Sequence, residues 1–235
     1  KADLDYLHQV KRFISRVTVH AAPKDQAVML LLNGHMSFIC GDLDEARTLL
    51  GQVQRSANSS ATVRAQARMD LILCGVMDSK QLTDATRNDV LALVELVNTA
   101  PELQRRRSVI LDQLHLYLGK KLIERGELAE GAFLLARSER LYGTIMGWWG
   151  TNARIVVFEK ATPTDYDRMI ALLDKPDKSP FERYLTATDD RPADWESTEQ
   201  VFKQTEFSRE KLLDYKATWY LREDSLEAAA TVFRQ

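Results

Sequence analysis

The side chains of this sequence that could do chemistry are its histidines, cysteines and paired acidic residues, and their spacing forms no familiar catalytic pattern. The histidines are His8, His20, His35 and His115. They are scattered, and His35 lies five positions before Cys40, which does not place the two on one face of a helix. The acidic pairs Asp44-Glu45 and Asp189-Asp190 stand at a helix start and in a loop, where capping explains them better than general acid–base catalysis.

The short motifs that mark common active sites are missing as well. The sequence has no glycine-rich phosphate loop, no nucleophile elbow and no His-Glu-x-x-His zinc motif. The histidines are therefore interpreted as surface or partly buried side chains. We expect a protein that is not an enzyme and that has no catalytic residue, no cofactor and no metal site.

Composition and charge limit the possible partners. The chain has 235 residues with 34 acidic and 32 basic side chains, a formal charge of −2, so it lacks the broad positive field of a nucleic-acid binder. The longest apolar run, Ala27 to Leu32, is too short to span a bilayer, so no transmembrane segment is expected. Cys40 and Cys74 are predicted to be buried thiols rather than a disulfide framework. Because the chain starts at Lys1, a cytoplasmic and a periplasmic location both stay open.

Three segments of the chain share one pattern. They read GDLDEARTLL from Gly41, GELAEGAFLL from Gly126 and DSLEAAATVF from Asp224. A small residue precedes each start by seven positions, namely Gly34, Gly119 and Ala217. An apolar residue follows by two positions, a small residue by five and a large apolar residue by nine. Recurrence at fixed offsets indicates a repeated structural unit.

The spacing within the segments is typical of a helical hairpin. Glycine adopts the left-handed conformation at low cost, so Gly41 and Gly126 are predicted to end the first helix of their hairpins. The acidic residues that follow suit the positive end of the second helix. Small residues on both helices allow close approach of the two backbones, and we expect Gly119 to face Gly131 at close range.

These segments resemble the tetratricopeptide repeat, a helix–turn–helix unit of about 34 residues. The matching residues are Gly34, Phe38, Gly41, Leu43, Ala46 and Leu50, then Tyr117, Leu118, Gly119, Gly126, Leu128, Gly131, Leu135 and Ser138, then Ala217, Tyr220, Leu226, Ala229 and Phe233. The tryptophan and the closing proline of the family signature are missing, which marks the segments as diverged. The resemblance implies an all-α fold, a right-handed superhelical array of helix–turn–helix repeats (an α-solenoid).

We therefore predict one helical-repeat domain over residues 1–235, with a lead helix near Asp3 to Val19 and roughly six hairpins. The less regular hairpins are predicted at Val63–Met77 with Leu82–Val97, Asn152–Lys160 with Thr162–Leu173, and Phe181–Leu185 with Ala193–Gln204. Thr162 is predicted to cap a helix that starts at Pro163. Arg154 to Glu159 has the composition of a strand but no second strand to pair with, so we interpret it as helix.

The function that the resemblance implies is a protein–protein interaction scaffold. Members of this family usually bind a peptide or partner helix along the concave face, which the first helix of each hairpin lines. The candidates at the matching positions are His35, Phe38, Gln113, Leu116, Lys120, Glu124, Asp214, Thr218 and Arg222. The basic groups among them, His35, Lys120 and Arg222, suggest an acidic or carboxylate-bearing ligand. Glu124 and Asp214 dilute this positive field, and an ordinary mixed-charge surface is the alternative. The alternatives are a ligand-sensing or regulatory domain whose output module lies outside this chain and, less favoured, a helical enzyme.

Two further features have both a structural and a functional interpretation. Trp148 and Trp149 are adjacent, so they cannot both face one side of a helix; they could pack in the core or form a binding platform for a partner. Arg105-Arg106-Arg107 is a short basic run without interleaved aromatic residues, which favours a solvated helix start.

The last predicted hairpin is incomplete. Val232 and Phe233 lie in a second helix with no following helix to pack on, and repeat arrays need a polar cap. We expect that the native protein continues, so that this chain is a fragment, or that another chain covers this end.

Overall fold

Helices form every regular element in the part of the chain that the computed structural model describes, which is residues 2–23, 25–79, 81–142, 153–187 and 207–235. The predicted all-α fold is therefore confirmed over these ranges. The chain divides into two compact units, Lys1–Ile110 and Leu111–Gln235. The single repeat domain and its superhelical arrangement stay predictions.

The first unit consists of consecutive helices that pack on their neighbours. They are α1 (Ala2–Val19), α2 (Gln26–Cys40), α3 (Leu43–Arg55), α4 (Ala61–Asp78) and α5 (Asp84–Thr99), followed by a 3₁₀ helix (Pro101–Arg106). Helix α2 packs against α1, α3 and α4, while α3 packs against α4, and α4 against α5. The first helix of one hairpin therefore contacts both its own second helix and the first helix of the next hairpin, as in stacked hairpins.

The basic run falls at the end of the 3₁₀ helix and the start of the next helix, α6 (Arg107–Glu124). Arg105 and Arg106 are exposed, and the half-buried Arg107 donates from Nε to Asn98 Oδ1 at 2.6 Å. The interpretation as a solvated helix start holds for the first two arginines, whereas the third joins α6 to the end of α5.

Helices of the second unit follow in the same order as predicted. They are α6 (Arg107–Glu124, which begins before the unit boundary), α7 (Leu128–Tyr142), α8 (Ala153–Lys160), α9 (Pro163–Asp174), α10 (Pro180–Thr186), α11 (Arg209–Arg222) and α12 (Leu226–Phe233). Helix α7 packs against α8, α9 and α10, α9 packs against α11, and α11 packs against α12. Lys216 of α11 donates from Nζ to Asp167 Oδ1 of α9 at 2.6 Å. The segment Arg154 to Glu159 is helical, which confirms its interpretation, whereas the predicted helix Ala193–Gln204 lies outside the described residues.

All three repeated segments begin with the same turn. Gly41 and Gly126 each have φ of 84°, and Asp224 at the equivalent position has φ of 53°. The next residue donates its N–H five positions back, from Asp42 to the Ser37 carbonyl at 2.9 Å, and in the same way in the other two turns. This six-to-one bond with a left-handed residue before it is the Schellman motif. The prediction that Gly41 and Gly126 end their helices is confirmed.

Small residues bring the two helices of a hairpin together. A Cβ added to Gly119 would lie 2.9 Å from the carbonyl oxygen of Gly131, and one added to Gly131 would lie 2.7 Å from the carbonyl oxygen of Gly119. A Cβ added to Gly34 would lie 2.8 Å from Leu50 Cγ. The expected contact between Gly119 and Gly131 is confirmed, and backbone meets backbone there.

Capping groups fix the starts of several helices. Thr162 and Asp165 form a capping box at α9 with Pro163 in the first turn, as predicted, and Ser179 and Glu182 form a second one at α10. Each box satisfies two backbone donors that the helix cannot satisfy itself.

Cys74 is buried and Cys40 half-buried, and both are free thiols, so the cysteine prediction is correct for Cys74 and only partly so for Cys40.

Replacing Gly119 by alanine is expected to destabilise the protein by about 1–3 kcal/mol, because the new methyl group would clash with a backbone oxygen that cannot move aside alone. Gly75→Ala is the matched control. Gly75 also lies inside a helix, but a Cβ there would meet nothing within 4 Å. That substitution should stabilise by up to about 1 kcal/mol. Urea unfolding of both variants measures the difference, and a Gly119→Ala variant at least as stable as wild type would contradict the close contact.

Candidate protein-binding surface

Helix α2 is covered on three sides and open on the fourth. Asn33 accepts a hydrogen bond from Ser15 of α1 at 2.9 Å, and Gly34 lies against Leu50 of α3. The open side carries an apolar stripe at four-three-four spacing, made of Val28, Leu32, His35 and Ile39, which we call the α2 stripe. Its three aliphatic side chains, Val28, Leu32 and Ile39, are 43%, 44% and 42% exposed. A helix with three protected sides thus presents aliphatic groups to solvent.

His35 is the one polar group of the α2 stripe, and a buried carboxylate holds it. Its Nδ1 lies 2.9 Å from Oδ2 of Asp70 on α4, and the imidazole is 35% exposed whereas the Asp70 side chain is fully buried. The hydrogen bond to Asp70 raises the pKa of His35 above its usual value and outweighs the opposing effect of burial. With Nδ1 directed at Asp70, the other ring nitrogen, Nε2, is the one left for a ligand.

Phe38, the second predicted residue of this helix, has a different place. It is half-buried and packs against the apolar core cluster that contains Ala46 and Leu50. Its ring centre lies 6.3 Å from that of His35. Phe38 therefore supports the imidazole from the core side, and its exposed neighbour Ile39 offers more surface to a partner.

Helix α1 carries a second open stripe that the sequence analysis missed. Tyr6, Val10, Phe13 and Val17 repeat the four-three-four spacing, and we call them the α1 stripe. Tyr6, Phe13 and Val17 are 65%, 67% and 37% exposed. The other side of the helix faces α2, where the Thr18 hydroxyl donates to its own helix at Ile14 and lies 3.4 Å from the Met29 carbonyl. The 3.5-residue period of these apolar side chains can be read from the sequence, but the sequence does not show that the side chains are exposed.

An ionic contact joins α1 to the turn between α2 and α3. The Lys11 ammonium group donates to the carboxylate of Asp42 and also pairs with Glu45 at the start of α3. The hydrogen bond from Lys11 lowers the pKa of Asp42.

The predicted residues on α6 lie in the second unit. Gln113, Leu116 and Lys120 are half-buried and Glu124 is exposed. Glu124 accepts a hydrogen bond from Lys121, one turn earlier on the same helix, at 3.1 Å. These residues stay candidates, with Glu124 already paired within its own helix.

Two of the predicted residues on α11, Thr218 and Arg222, form hydrogen bonds within the chain. Arg222 lies 5.1 Å from the centre of the Phe158 ring and donates to the Phe158 carbonyl at 3.3 Å. The Thr218 hydroxyl donates to the carbonyl of Asp214 in the same helix at 2.8 Å, and the Asp214 side chain is exposed. Arg222 therefore already has an intramolecular contact, and a common wall of His35, Lys120 and Arg222 stays a prediction.

A buried polar cluster in the second unit was not predicted. Ser138 donates to Asp112 Oδ1, and Oδ2 of Asp112 has no hydrogen-bond partner within the described ranges. His115 bonds the Tyr184 hydroxyl, and Arg137 lies 4.0 Å from the centre of the Tyr184 ring. His115 is 1% exposed, so its interpretation as a surface or partly buried side chain is wrong. Burial raises the pKa of Asp112 to about 6.

Two other kinds of site, a metal centre and a membrane-spanning helix, are absent from the described residues. Within the described residues, no group of three or more histidine, cysteine or acidic side chains could hold a metal ion. None of the helices in those ranges combines the length and the apolar character needed to cross a membrane. Trp148 and Trp149 lie outside the described residues, so both interpretations of them stay open.

His35→Ala is expected to destabilise the protein by about 3 kcal/mol, because it leaves the Asp70 carboxylate buried without its partner. The pKa of His35 is raised in the folded state, so the stabilisation is complete below the usual histidine pKa. It is lost as the pH rises through the raised value. The loss in unfolding free energy should thus be larger at pH 5.5 than at pH 8.5. Equal losses at both pH values would show that protonation of His35 adds nothing to the stability of the fold.

Asp112→Asn is expected to stabilise the protein at neutral pH, because the folded state has to hold a buried charge there. The pKa of Asp112 is about 6 in the fold against the usual 3.8. The free energy of unfolding of the wild type should therefore fall as the pH rises from about 4 to about 6. Two pKa units correspond to about 3 kcal/mol, an upper bound for the gain at pH 7. Denaturation curves across this range test the prediction, with Asp214→Asn as an exposed control. A variant that keeps the wild-type pH slope would contradict it.

Comparison of the chain with models of known families found no match, and comparisons with curated proteins and with solved structures found none either. The resemblance to a helical repeat therefore rests on the residues and turns given above. The surfaces of the described helices are the remaining guide to function.

Proposed function

We propose that this chain is a non-catalytic scaffold that binds a protein or peptide partner, built from hairpins of the tetratricopeptide type in a superhelical array. Three turns with the same geometry at the same offset support the repeat, as do the close contacts at Gly34 and Gly119. The packing of α2 on both α3 and α4 agrees with stacked hairpins in the first unit.

The observation that carries the function is the α2 stripe. Single exposed aliphatic residues are common on protein surfaces, but Val28, Leu32 and Ile39 are aligned on one open helix face. A partner that covers them gains about 25 cal/mol for each Å² of apolar surface removed from water. Helix α2 would not have to change its conformation when a partner binds, since its other sides are already packed. A first helix of a hairpin with an open apolar side fits a protein-binding surface.

Photo-cross-linking tests the proposal directly. Benzoylphenylalanine placed at Leu32 should give a discrete cross-linked product with a partner protein in extract of the source cell. The same group at Gln52, exposed on α3, is the matched control and should give none. Mass spectrometry of the product identifies the partner. No discrete product at Leu32, or identical products at both positions, would count against binding at this face.

A ligand-sensing domain is the second candidate, favoured by one cleft in the first unit. The cleft measures about 350 Å³ and lies between α3, α4 and α5, with Leu71, Ile72 and Gly75 among its apolar lining residues. Arg68 and Asp89, 3.8 Å apart, stand at the same cleft as a polar pair. Its volume is at the lower end for small-molecule sites. Gly75→Phe should fill the cleft, and ligand binding that survives this change would place the ligand elsewhere.

A further inference from the structure

The cleft of the first unit has aligned residues on two neighbouring helices. The residues of α4 that line it recur at three- and four-residue intervals, which place them on one face of the helix: Arg68, Leu71, Ile72 and Gly75. On α5, Thr86 and Asp89 are three residues apart and share a face in the same way. Two packed helices thus direct one face each at a space of about 350 Å³.

Gly75 leaves open space in the α4 wall. Gly34, Gly119 and Gly131 each lie against atoms of another helix, whereas a Cβ added to Gly75 would meet nothing within 4 Å. Glycine inside a helix destabilises it by about 1 kcal/mol relative to alanine. No close packing within the described residues offsets this cost at Gly75, and the space that it leaves belongs to the cleft.

Arg68 and Asp89 form the charged part of the cleft, and their mutual contact is loose. Nη2 of Arg68 lies 3.8 Å from Oδ1 of Asp89, which is too far for a hydrogen bond. The two side chains are 35% and 62% exposed. Neither side chain forms a hydrogen bond to another residue in the part of the chain that the structure describes. A guanidinium and a carboxylate therefore stand side by side at the cleft with donors and acceptors left for a ligand.

We propose that this cleft binds a zwitterionic α-amino acid with an apolar side chain. The guanidinium of Arg68 binds the carboxylate of the ligand, and the carboxylate of Asp89 binds its ammonium group. The apolar side chain of the ligand lies against Leu71 and Ile72 and enters the space at Gly75. This inference rests on the ligand-sensing function given above as the second candidate, and it adds the chemical class of the ligand.

Charge selects an amino acid over simpler ligands. A ligand with only a carboxylate is attracted by Arg68 but repelled by the neighbouring Asp89, and a ligand with only an amine meets the reverse. An α-amino acid carries both charges on one carbon atom, close enough together to face both side chains at once. Each contact is then a charge-assisted hydrogen bond, which is stronger than one between neutral groups.

The size and lining of the cleft agree with such a ligand. A volume of about 350 Å³ is at the lower end for small-molecule sites and suits a ligand smaller than a nucleotide. Ile72 is 6% exposed and Leu71 half-buried, so this part of the wall is apolar. Apolar surface of the ligand that leaves water there contributes to its affinity.

Three small molecules of nearly the same shape test the charge requirement. Leucine has both charged groups, isocaproate has the same carbon skeleton without the ammonium group, and isoamylamine lacks the carboxylate. Isothermal titration calorimetry with the full chain at pH 7 should give leucine a Kd below about 1 mM. Leucine should bind at least about tenfold more tightly than either of the other two, because each of them loses one charged hydrogen bond.

Substitutions at the charged pair assign each group of the ligand to its partner. Asp89→Asn should remove the advantage of leucine over isocaproate, and Arg68→Gln should remove its advantage over isoamylamine. Each substitution should weaken leucine binding at least about tenfold. Glu95→Gln is the matched control, an exposed acidic residue of α5 outside the cleft, and should leave the affinity unchanged. Melting curves confirm that each variant is folded.

Gly75→Phe tests the apolar end of the site, because the ring fills the open space without altering the charged pair. It should abolish leucine binding. Leucine binding that survives Gly75→Phe, or that ignores both Arg68→Gln and Asp89→Asn, would overturn the inference.

The same titrations separate the ligand class from the function on which it rests. Equal affinities of leucine and isocaproate, both lost in Gly75→Phe, would overturn the amino acid and leave the ligand-sensing function standing. Absence of binding by all three molecules would overturn the inference and remove its support for that function. The scaffold function is tested independently by cross-linking at Leu32.

Discussion

Close packing of two helices at a glycine is the constraint on which the rest of this molecule depends. At Gly119 and Gly131 a carbonyl oxygen occupies the place where the side chain of the opposite residue would begin. In the first unit Gly34 leaves the same space for the side chain of Leu50. Two helices that meet this closely have little freedom to rotate about their axes. The contact therefore decides which side of α2 is buried and which side is left open.

The turns complete this constraint at the end of each hairpin. A left-handed residue at Gly41 and Gly126 reverses the chain within few residues, and the backbone bond across it satisfies a carbonyl of the preceding helix. Asp224 adopts the same conformation without the freedom of glycine, at a small energetic cost that aspartate tolerates better than most residues. The third segment thus has the same turn geometry although aspartate stands where the other two segments have glycine.

Features that depend on local sequence were predictable, and features that depend on neighbouring helices were not. The caps at Thr162 and the glycine turns follow from conformational preferences of the residues themselves. The contact of Gly119 with Gly131 could be predicted because the two glycines lie at fixed offsets on either side of one short turn. Asp112 was missed because a carboxylate on a helix normally faces water, and only the packing of α6 on α7 buries it beside Ser138. The α1 stripe was missed for the converse reason, since apolar periodicity alone does not tell a covered face from an open one.

The His35–Asp70 pair gives the open face of α2 something that aliphatic side chains cannot provide. Apolar contacts are not directional, so a bound partner could shift along Val28, Leu32 and Ile39 at little cost. A single donor in the middle of the stripe makes one register better than the others, because only that register gives the donor an acceptor. The same logic applies to a lone polar residue in a coiled-coil seam, which lowers affinity but fixes alignment. Asp70 acts from the buried side, since its hydrogen bond orients the ring and raises the pKa of His35. The buried carboxylate of Asp70 therefore acts on the open face of α2 through the imidazole.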